Sequence, residues 1–240
     1  MKQIVIVGTA HVFDLRNKIK RLIDERKPEA VCVELDQQRL DRLLGKGPSP
    51  PKDTRMMADF QRILAESYGT QPGNDMLGAV NGAKSTGANL YLIDQPLGKT
   101  IDKLRASVQP MLSDPGALMR QLLGAMSAFP QWAKMMPKMM RGGGMDGIIE
   151  LVIDVFEKDP EAYRSMMGTM YPDVKTILLD EREEHMAAEI RKVLRKHDNV
   201  VVVCGLGHLS SLRQLLSDLP VECIGIAELR RMGSVRVPVD

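Results

Sequence analysis

Gly8-Thr9-Ala10-His11 and Gly205-Leu206-Gly207-His208 share one pattern, a glycine followed three positions later by a histidine. Each directly follows an apolar run, Ile4-Val5-Ile6-Val7 in the first case and Val200-Val201-Val202-Val203-Cys204 in the second. Two of the chain's 4 histidines thus stand just beyond the carboxyl ends of predicted strands. In open α/β sheets that edge is where ligands and catalytic groups collect. Two imidazoles delivered there can bind a metal, or act as acid and base on one substrate. A single copy reads as a strand-to-loop turn with a surface histidine; the second copy makes a functional pair the better reading. Gly8 permits close backbone approach, and Thr9 adds a hydroxyl. Gly205 and Gly207, at a helix start, can cradle an anion on free N–H groups. The second run lacks the third glycine of a dinucleotide fingerprint and falls too late in the chain, which excludes that reading.

Two acidic stretches add candidates. In Val31-Cys32-Val33-Glu34-Leu35-Asp36, strand alternation puts Glu34 opposite Val31, Val33 and Leu35. A carboxylate at a strand's carboxyl end can bind a metal or act as a general base. The bland alternative is a solvated strand end, or an ion pair with Arg39. Asp36 reads as a helix N-cap. In Asp180-Glu181-Arg182-Glu183-Glu184-His185, Arg182 lies four residues from both Leu178 and Met186, so its flank is apolar. Arg182 can clamp a carboxylate or an oxyanion. Glu181 and His185 are spaced i, i+4, as metal ligands on a helix can be. Spacing alone favours a solvated charged face for this run.

The elements that must position these residues follow an α/β pattern. Residues 4–7, 30–35, 89–93, 199–204 and 221–226 read as strands, and 235–237 as an edge strand. Residues 15–26, 36–44, 53–68, 75–86, 100–108, 173–195 and 209–216 read as helices, the 173–195 stretch either long or a kinked pair. The segment 111–171 reads as a helical insert, rich in the chain's 17 methionines. Its apolar stripe, with Lys134, Lys138 and Arg141 nearby, predicts helix packing or a dimer interface ahead of an adaptable or membrane-surface helix. The expected architecture is one α/β domain over residues 1–240, with a central mixed sheet, helices on both faces and the 111–171 insert.

Composition bounds the function. A net charge of +2, from 33 basic and 31 acidic residues, leaves no nucleic-acid footprint. Cys32, Cys204 and Cys223 all fall in strand-like runs, so reduced core thiols in a cytoplasmic protein are expected. The start of the chain shows no cleavage pattern, and no stretch approaches the 20 or so apolar residues of a membrane span.

Taken together, Gly8-Thr9-Ala10-His11, Glu34-Leu35-Asp36 with Arg39, Leu92-Ile93-Asp94, Thr100 with Arg105, Glu181-Arg182 with Met186, and Gly205-Leu206-Gly207-His208-Leu209 resemble the TraB pheromone-shutdown family. That family lies within the Tiki-like, GumN-like superfamily of proposed metalloproteases. The resemblance covers roughly 4–105 and 173–226. It implies an α/β sheet and a cleft carrying His11, Glu34, Arg182 and His208. In Tiki-like members such a cleft is associated with divalent-metal-dependent peptide cleavage, and TraB-like members with shutting down a peptide pheromone signal. More distant relatives include an erythromycin esterase and a haem-binding protein, so the fold leaves the chemistry open. Three features depart from the pattern. Gln95 stands where the family usually has arginine, Asp75-Met76 where a helix often opens with glutamate, and a C-terminal membrane region is missing.

Two function classes follow. In the first, the chain is a metal-dependent hydrolase of a peptide or amide. His11, His208 and Glu34 hold a divalent ion (zinc, manganese, cobalt or iron), Glu34 and Arg182 serve catalysis, and Asp94 orients a histidine. Gly8, Thr9, Glu181, Gly205 and Gly207 then support the site or touch substrate. In the second, the same residues sequester a peptide or haem-like ligand without turnover. Both expect a small-molecule or peptide partner, no nucleic acid, and a homo-oligomer formed through the methionine-rich helices.

Overall fold

The computed structural model describes residues 2–9, 14–47, 73–113, 116, 119, 164–165, 168–169 and 172–232. His11, the helix expected over 53–68, most of the methionine-rich segment and the edge strand expected over 235–237 lie outside them. The chain divides into two compact units, one formed by Met1–Asp94 with His185–Asp240 and the other by Gln95–Glu184.

The first unit is built on five strands, β1 (Gln3–Thr9), β2 (Ala30–Val33), β3 (Asn89–Leu92), β4 (Asn199–Gly205) and β5 (Val221–Ile224), in the order β3-β2-β4-β1-β5. Every described pairing is parallel. The expected α/β sheet flanked by helices is present, and among the described strands it is parallel where a mixed sheet was expected. Consecutive strands are joined through helices, and a helical crossover returns the chain to the same edge, which makes neighbours parallel. It also explains why β1 and β4 read as continuous apolar runs, since strands covered on both faces need no polar side.

Alternation sorts the sheet's side chains onto two faces. Val5, Val7, Val31, Val33, Leu35, Val201, Val203 and Ile224 form one core with α1 (Arg16–Arg26), α2 (Gln37–Leu43), α3 (Asn74–Thr86) and α8 (Ile226–Arg231). Ile4, Ile6, Ala30, Cys32, Val200, Val202 and Cys204 form the other with residues of α6 (Glu181–Leu194) and α7 (Leu206–Leu215). Each buried aliphatic side chain contributes about 1.5–3 kcal/mol relative to exposure, so the two faces together fix the register. Cys32, Cys204 and Cys223 are free thiols, as expected. Burial pushes the Cys32 thiol far up, which keeps it protonated and inert.

The chain leaves β1 toward the α1 face and β4 toward the α7 face. These strands are neighbours, so their carboxyl ends form the switch point at which open parallel sheets bind ligands.

The second unit includes α4 (Leu97–Ser113), α5 (Pro172–Lys175) and a π-helical turn, Thr176–Asp180, that runs into α6. The stretch expected over 173–195 is thus helical from 173 to 194, with the π turn as its irregularity. Residues 164–165 and 168–169 are also helical. No helix among the described residues is long and apolar enough to cross a membrane.

Helices α1 and α3 approach closely because Gly78 and Gly82 lie one turn apart on α3. A Cβ at Gly78 would stand 2.4 Å from the Arg16 carbonyl oxygen, and one at Gly82 2.9 Å from Ile23 Cβ. Alanine normally gains about 1 kcal/mol over glycine within a helix. Overpacking against backbone costs about 1–3 kcal/mol or more, so Gly78→Ala is expected to lower stability in urea denaturation. Gly98→Ala on α4, where a Cβ meets nothing within 4 Å, is expected to leave it unchanged or slightly raised. A Gly78→Ala protein as stable as the parent would show that the two helices do not depend on this contact.

Candidate functional site

Three strand ends of the first unit converge at the switch point. β2 reaches it through one residue past its end, where the Glu34 N–H donates to the Val203 carbonyl at 3.0 Å. That bond lays Glu34 beside the end of β4, on the Cys32 face, as alternation predicted. Glu34 is only 7% exposed. Its Oε2 accepts the Gly205 N–H at 2.6 Å, and its Oε1 lies 3.4 Å from His208 Nε2.

Neither bland alternative describes Glu34. It is neither solvated nor spent on Arg39. The Arg39 guanidinium donates instead to Asp94 and lies 3.4 Å from Asp36. Asp36 caps α2 as expected, accepting the Arg39 N–H at 2.7 Å. Asp94, expected beside a histidine, is buried and held by Arg39.

His208 does not follow a loop. β4 ends at Gly205 and α7 begins at Leu206, which puts His208 in the first turn of the helix, 6% exposed. Gly205 is the N-cap and has no side chain to offer. The carboxylate of Glu34, reaching across from β2, takes over the capping role and sits where the helix dipole favours negative charge. One side chain therefore both fixes the start of α7 and faces the imidazole three residues on. Gly207, within the same turn, is half-buried.

Gly8 is where the first glycine–histidine motif meets the second. A Cβ there would approach Leu206 Cδ1 at 3.0 Å and Leu209 Cδ2 at 3.1 Å. The lack of a side chain at Gly8 thus lets α7 lie down on β1.

Thr9, next along β1, points to the opposite face of the sheet. Its hydroxyl is 3.2 Å from the Cys204 carbonyl and closer still to Asp75 Oδ2. Asp75, in the first turn of α3, is 1% exposed. It was absent from the candidates drawn from sequence, which noted it only as a departure from a family glutamate. A signal was present, because Asp75 shares its helix stripe with Gly78, Ala79, Gly82 and Ala83, all buried.

The second unit holds Glu181 and Arg182. Glu181 pairs with Lys103. Arg182 is half-buried, and its Nη1 donates to the Leu178 carbonyl at 3.2 Å. The buried carboxylate of this stretch is Glu183, which Arg164 grips in two-pronged fashion at 2.7 and 2.8 Å. Arg164 also reaches Asp180, itself bound by Lys175. Gln95, in the position of the family arginine, donates to Thr100 Oγ1 at 3.1 Å. Spacing favoured a solvated face here, and Glu184 is exposed. Glu183 is the member aligned with Met186, Ala187 and Ile190 at i+3, i+4 and i+7, the stripe that alternation of the helix buries.

Among the described residues, no three His, Cys, Asp or Glu side chains come together as a metal-binding group. The described part of the site is a carboxylate–imidazole pair, flanked by a hydroxyl–carboxyl pair on the other face of the sheet.

A family model described as the TraB/PrgY/gumN family matches residues 1–220. The chain is also similar to the uncharacterized protein MJ1365 of Methanocaldococcus jannaschii, with 24% identity over 234 residues. That alignment covers 90% of this chain and 54% of the other, so the chain spans about half the length of the curated relative it matches.

Two stability measurements check this geometry. Glu34→Ala and His208→Ala, combined in a double-mutant cycle without added metal, are expected to couple by about 0.5–3 kcal/mol; additive losses would mean the two side chains do not interact. Arg164→Ala leaves the carboxylate of Glu183 buried without its two-pronged partner, a change that costs about 3–5 kcal/mol. A loss under about 1 kcal/mol, the range of exposed ion pairs, would contradict the burial described.

Proposed function

This chain belongs to the TraB/PrgY/gumN family, and we propose that it is a metal-dependent hydrolase acting on a peptide or a related amide. The observation that carries the reading is the contact of Glu34 with His208 at the switch point of the sheet, with both side chains nearly excluded from water. A buried carboxylate facing an imidazole is an arrangement suited to general acid–base work.

The donor chemistry fits a divalent ion in part. Glu34 supplies oxygen and His208 nitrogen, a set suited to zinc, manganese, cobalt or iron. A catalytic ion of this kind takes three protein ligands, and His11 is the third in this reading. When bound, such an ion polarises a carbonyl and lowers the pKa of water. The protein's own residues do the rest. Glu34, anchored by the Gly205 N–H, accepts a proton through its Oε1 side and keeps the His208 ring turned toward it. Cys32, Val202 and Cys204 belong to the buried apolar core on the same face of the sheet. The reading rests on the first unit alone, and Arg182 has no part in it.

The test begins with metal analysis of purified protein, followed by a peptide-library cleavage assay with each of the four metals added. Wild type is expected to bind metal and to cleave. Glu34→Gln is expected to lose about 10²–10⁴-fold in rate, and His11→Ala and His208→Ala to lose both metal and cleavage. Tight retention of a peptide or haem-like ligand with no turnover under any metal would replace hydrolysis with sequestration.

A further inference from the structure

The guanidinium of Arg39 is held along one edge only. Arg39 lies in the first turn of α2, and its side chain crosses to the end of β3, where Nη2 donates to the buried carboxylate of Asp94. Nε stands 3.4 Å from Asp36 Oδ2, but it is buried and makes no hydrogen bond. Nε and Nη2 share one edge of the planar fork, so both acids address that edge. A guanidinium carries five N–H donors, and among the described residues a hydrogen bond meets one of them, on Nη2. An ion pair to Asp94 alone needs only a point charge, which lysine supplies. Arginine adds a rigid fork able to take a second planar acceptor. Asp36 accepts the Arg39 N–H as the cap of α2, where the amino end of the helix offsets its charge. Arg39 and Asp94 are then a balanced pair, with the Nη1 end of the fork left over.

We propose that Arg39 binds a carboxylate of the substrate through that remaining end, so that the site takes peptides bearing a free carboxylate, at the carboxyl terminus or on a side chain. The proposal rests on the peptide reading of the Glu34–His208 site. Both groups stand at the carboxyl edge of the sheet, on either side of the end of β2. Glu34 follows β2 directly and reaches the end of β4, while Arg39 reaches Asp94 just past β3. β3 and β4 flank β2, and strands two apart are separated by about 10 Å. An extended peptide rises about 3.3 Å per residue. A carboxylate held by Arg39 therefore stands about three residues from an amide placed at Glu34. Asp36 and Asp94 hold the guanidinium in place before a substrate arrives, so little freedom is lost on binding. The same two acids disfavour a doubly charged phosphate by repulsion, and a singly charged, planar carboxylate fits the fork.

The test is retention of a peptide library on the immobilised full chain without added metal, read by mass spectrometry. The library holds peptides of two to eight residues, each as free acid and as carboxyl-terminal amide, and with glutamate or glutamine at each position. Wild type is expected to retain the carboxylate form over its neutral counterpart by about 10–100-fold, the range of a hydrogen bond to a charged group. A preference for acid over amide identifies a terminal carboxylate, and one for glutamate over glutamine a side chain. Arg39→Gln is expected to abolish the preference, and Arg39→Lys, which keeps the charge and loses the fork, to keep only part of it. Arg21→Gln, on the exposed face of α1, is expected to keep all of it. Equal retention of charged and neutral forms by wild type overturns the proposal, as does a preference that survives Arg39→Gln. Should the Arg39 variants fail to fold, phenylglyoxal modification of the wild type decides. The carboxylate peptides are expected to slow modification of Arg39 several-fold more than the neutral ones, and equal protection overturns the proposal. Retention is read without turnover. A carboxylate preference in a chain that cleaves nothing removes the hydrolase reading alone, and cleavage blind to the carboxylate removes this one alone.

Discussion

β4 is buried on both faces and flanked on both edges, and that burial governs the polar chemistry around it. From Val200 to Cys204 every side chain of the strand is buried, and four of the five are valines with no polar group to offer. Hydrogen-bonding groups not taken up by the ladder are therefore forced to its carboxyl end. There the backbone must be satisfied or lose about 1–3 kcal/mol per orphaned group. The neighbouring strands answer that demand with Thr9 from β1 and Glu34 from β2. The candidate site grows out of a requirement of the fold, with His208 placed against a carboxylate that is already needed to start α7.

Much of this was legible in the chain. The β1 and β4 runs announce fully covered strands, and the alternation around Val31, Val33 and Leu35 places Glu34 on the correct face. The capping role of Asp36 follows from its position before a periodic segment. What escaped the sequence depends on contacts between distant segments. That Arg39 would turn to Asp94 and leave Glu34 to Gly205 requires knowing that β2 lies beside β4. Strand direction is not written in any one strand: only the pairing of β1 with β4 and β5, and of β2 with β3 and β4, shows that the described neighbours are parallel. Asp75 was passed over because an acidic residue in a first helical turn usually means a dipole contact, and its burial shows only in the small residues that follow it. Glu183 was passed over as one acid in a charged run, which reads as a solvated face.

The division into two units separates what each group of residues can explain. In the first, the pairs Glu34–His208 and Thr9–Asp75 stand on opposite faces of one sheet edge. In the second, Arg164, Glu183, Asp180 and Lys175 form a connected ionic cluster beside the π turn. Because Arg164 binds two acids and Asp180 two bases, that cluster ties the 164 region to the 175–183 stretch in a way that isolated exposed ion pairs do not.

The contact at Gly8 carries a consequence for how this fold can vary. The floor of one motif is the seat on which the other motif's helix rests, with Leu206 and Leu209 pressed against it on either side of His208. A bulkier residue at position 8 would lift the amino end of that helix and swing the imidazole away from its acid. Drift in the first motif is therefore felt at once in the second. Among relatives, the side chains at 8, 206 and 209 should change volume in concert, as a single mechanical joint shared by two distant stretches of chain.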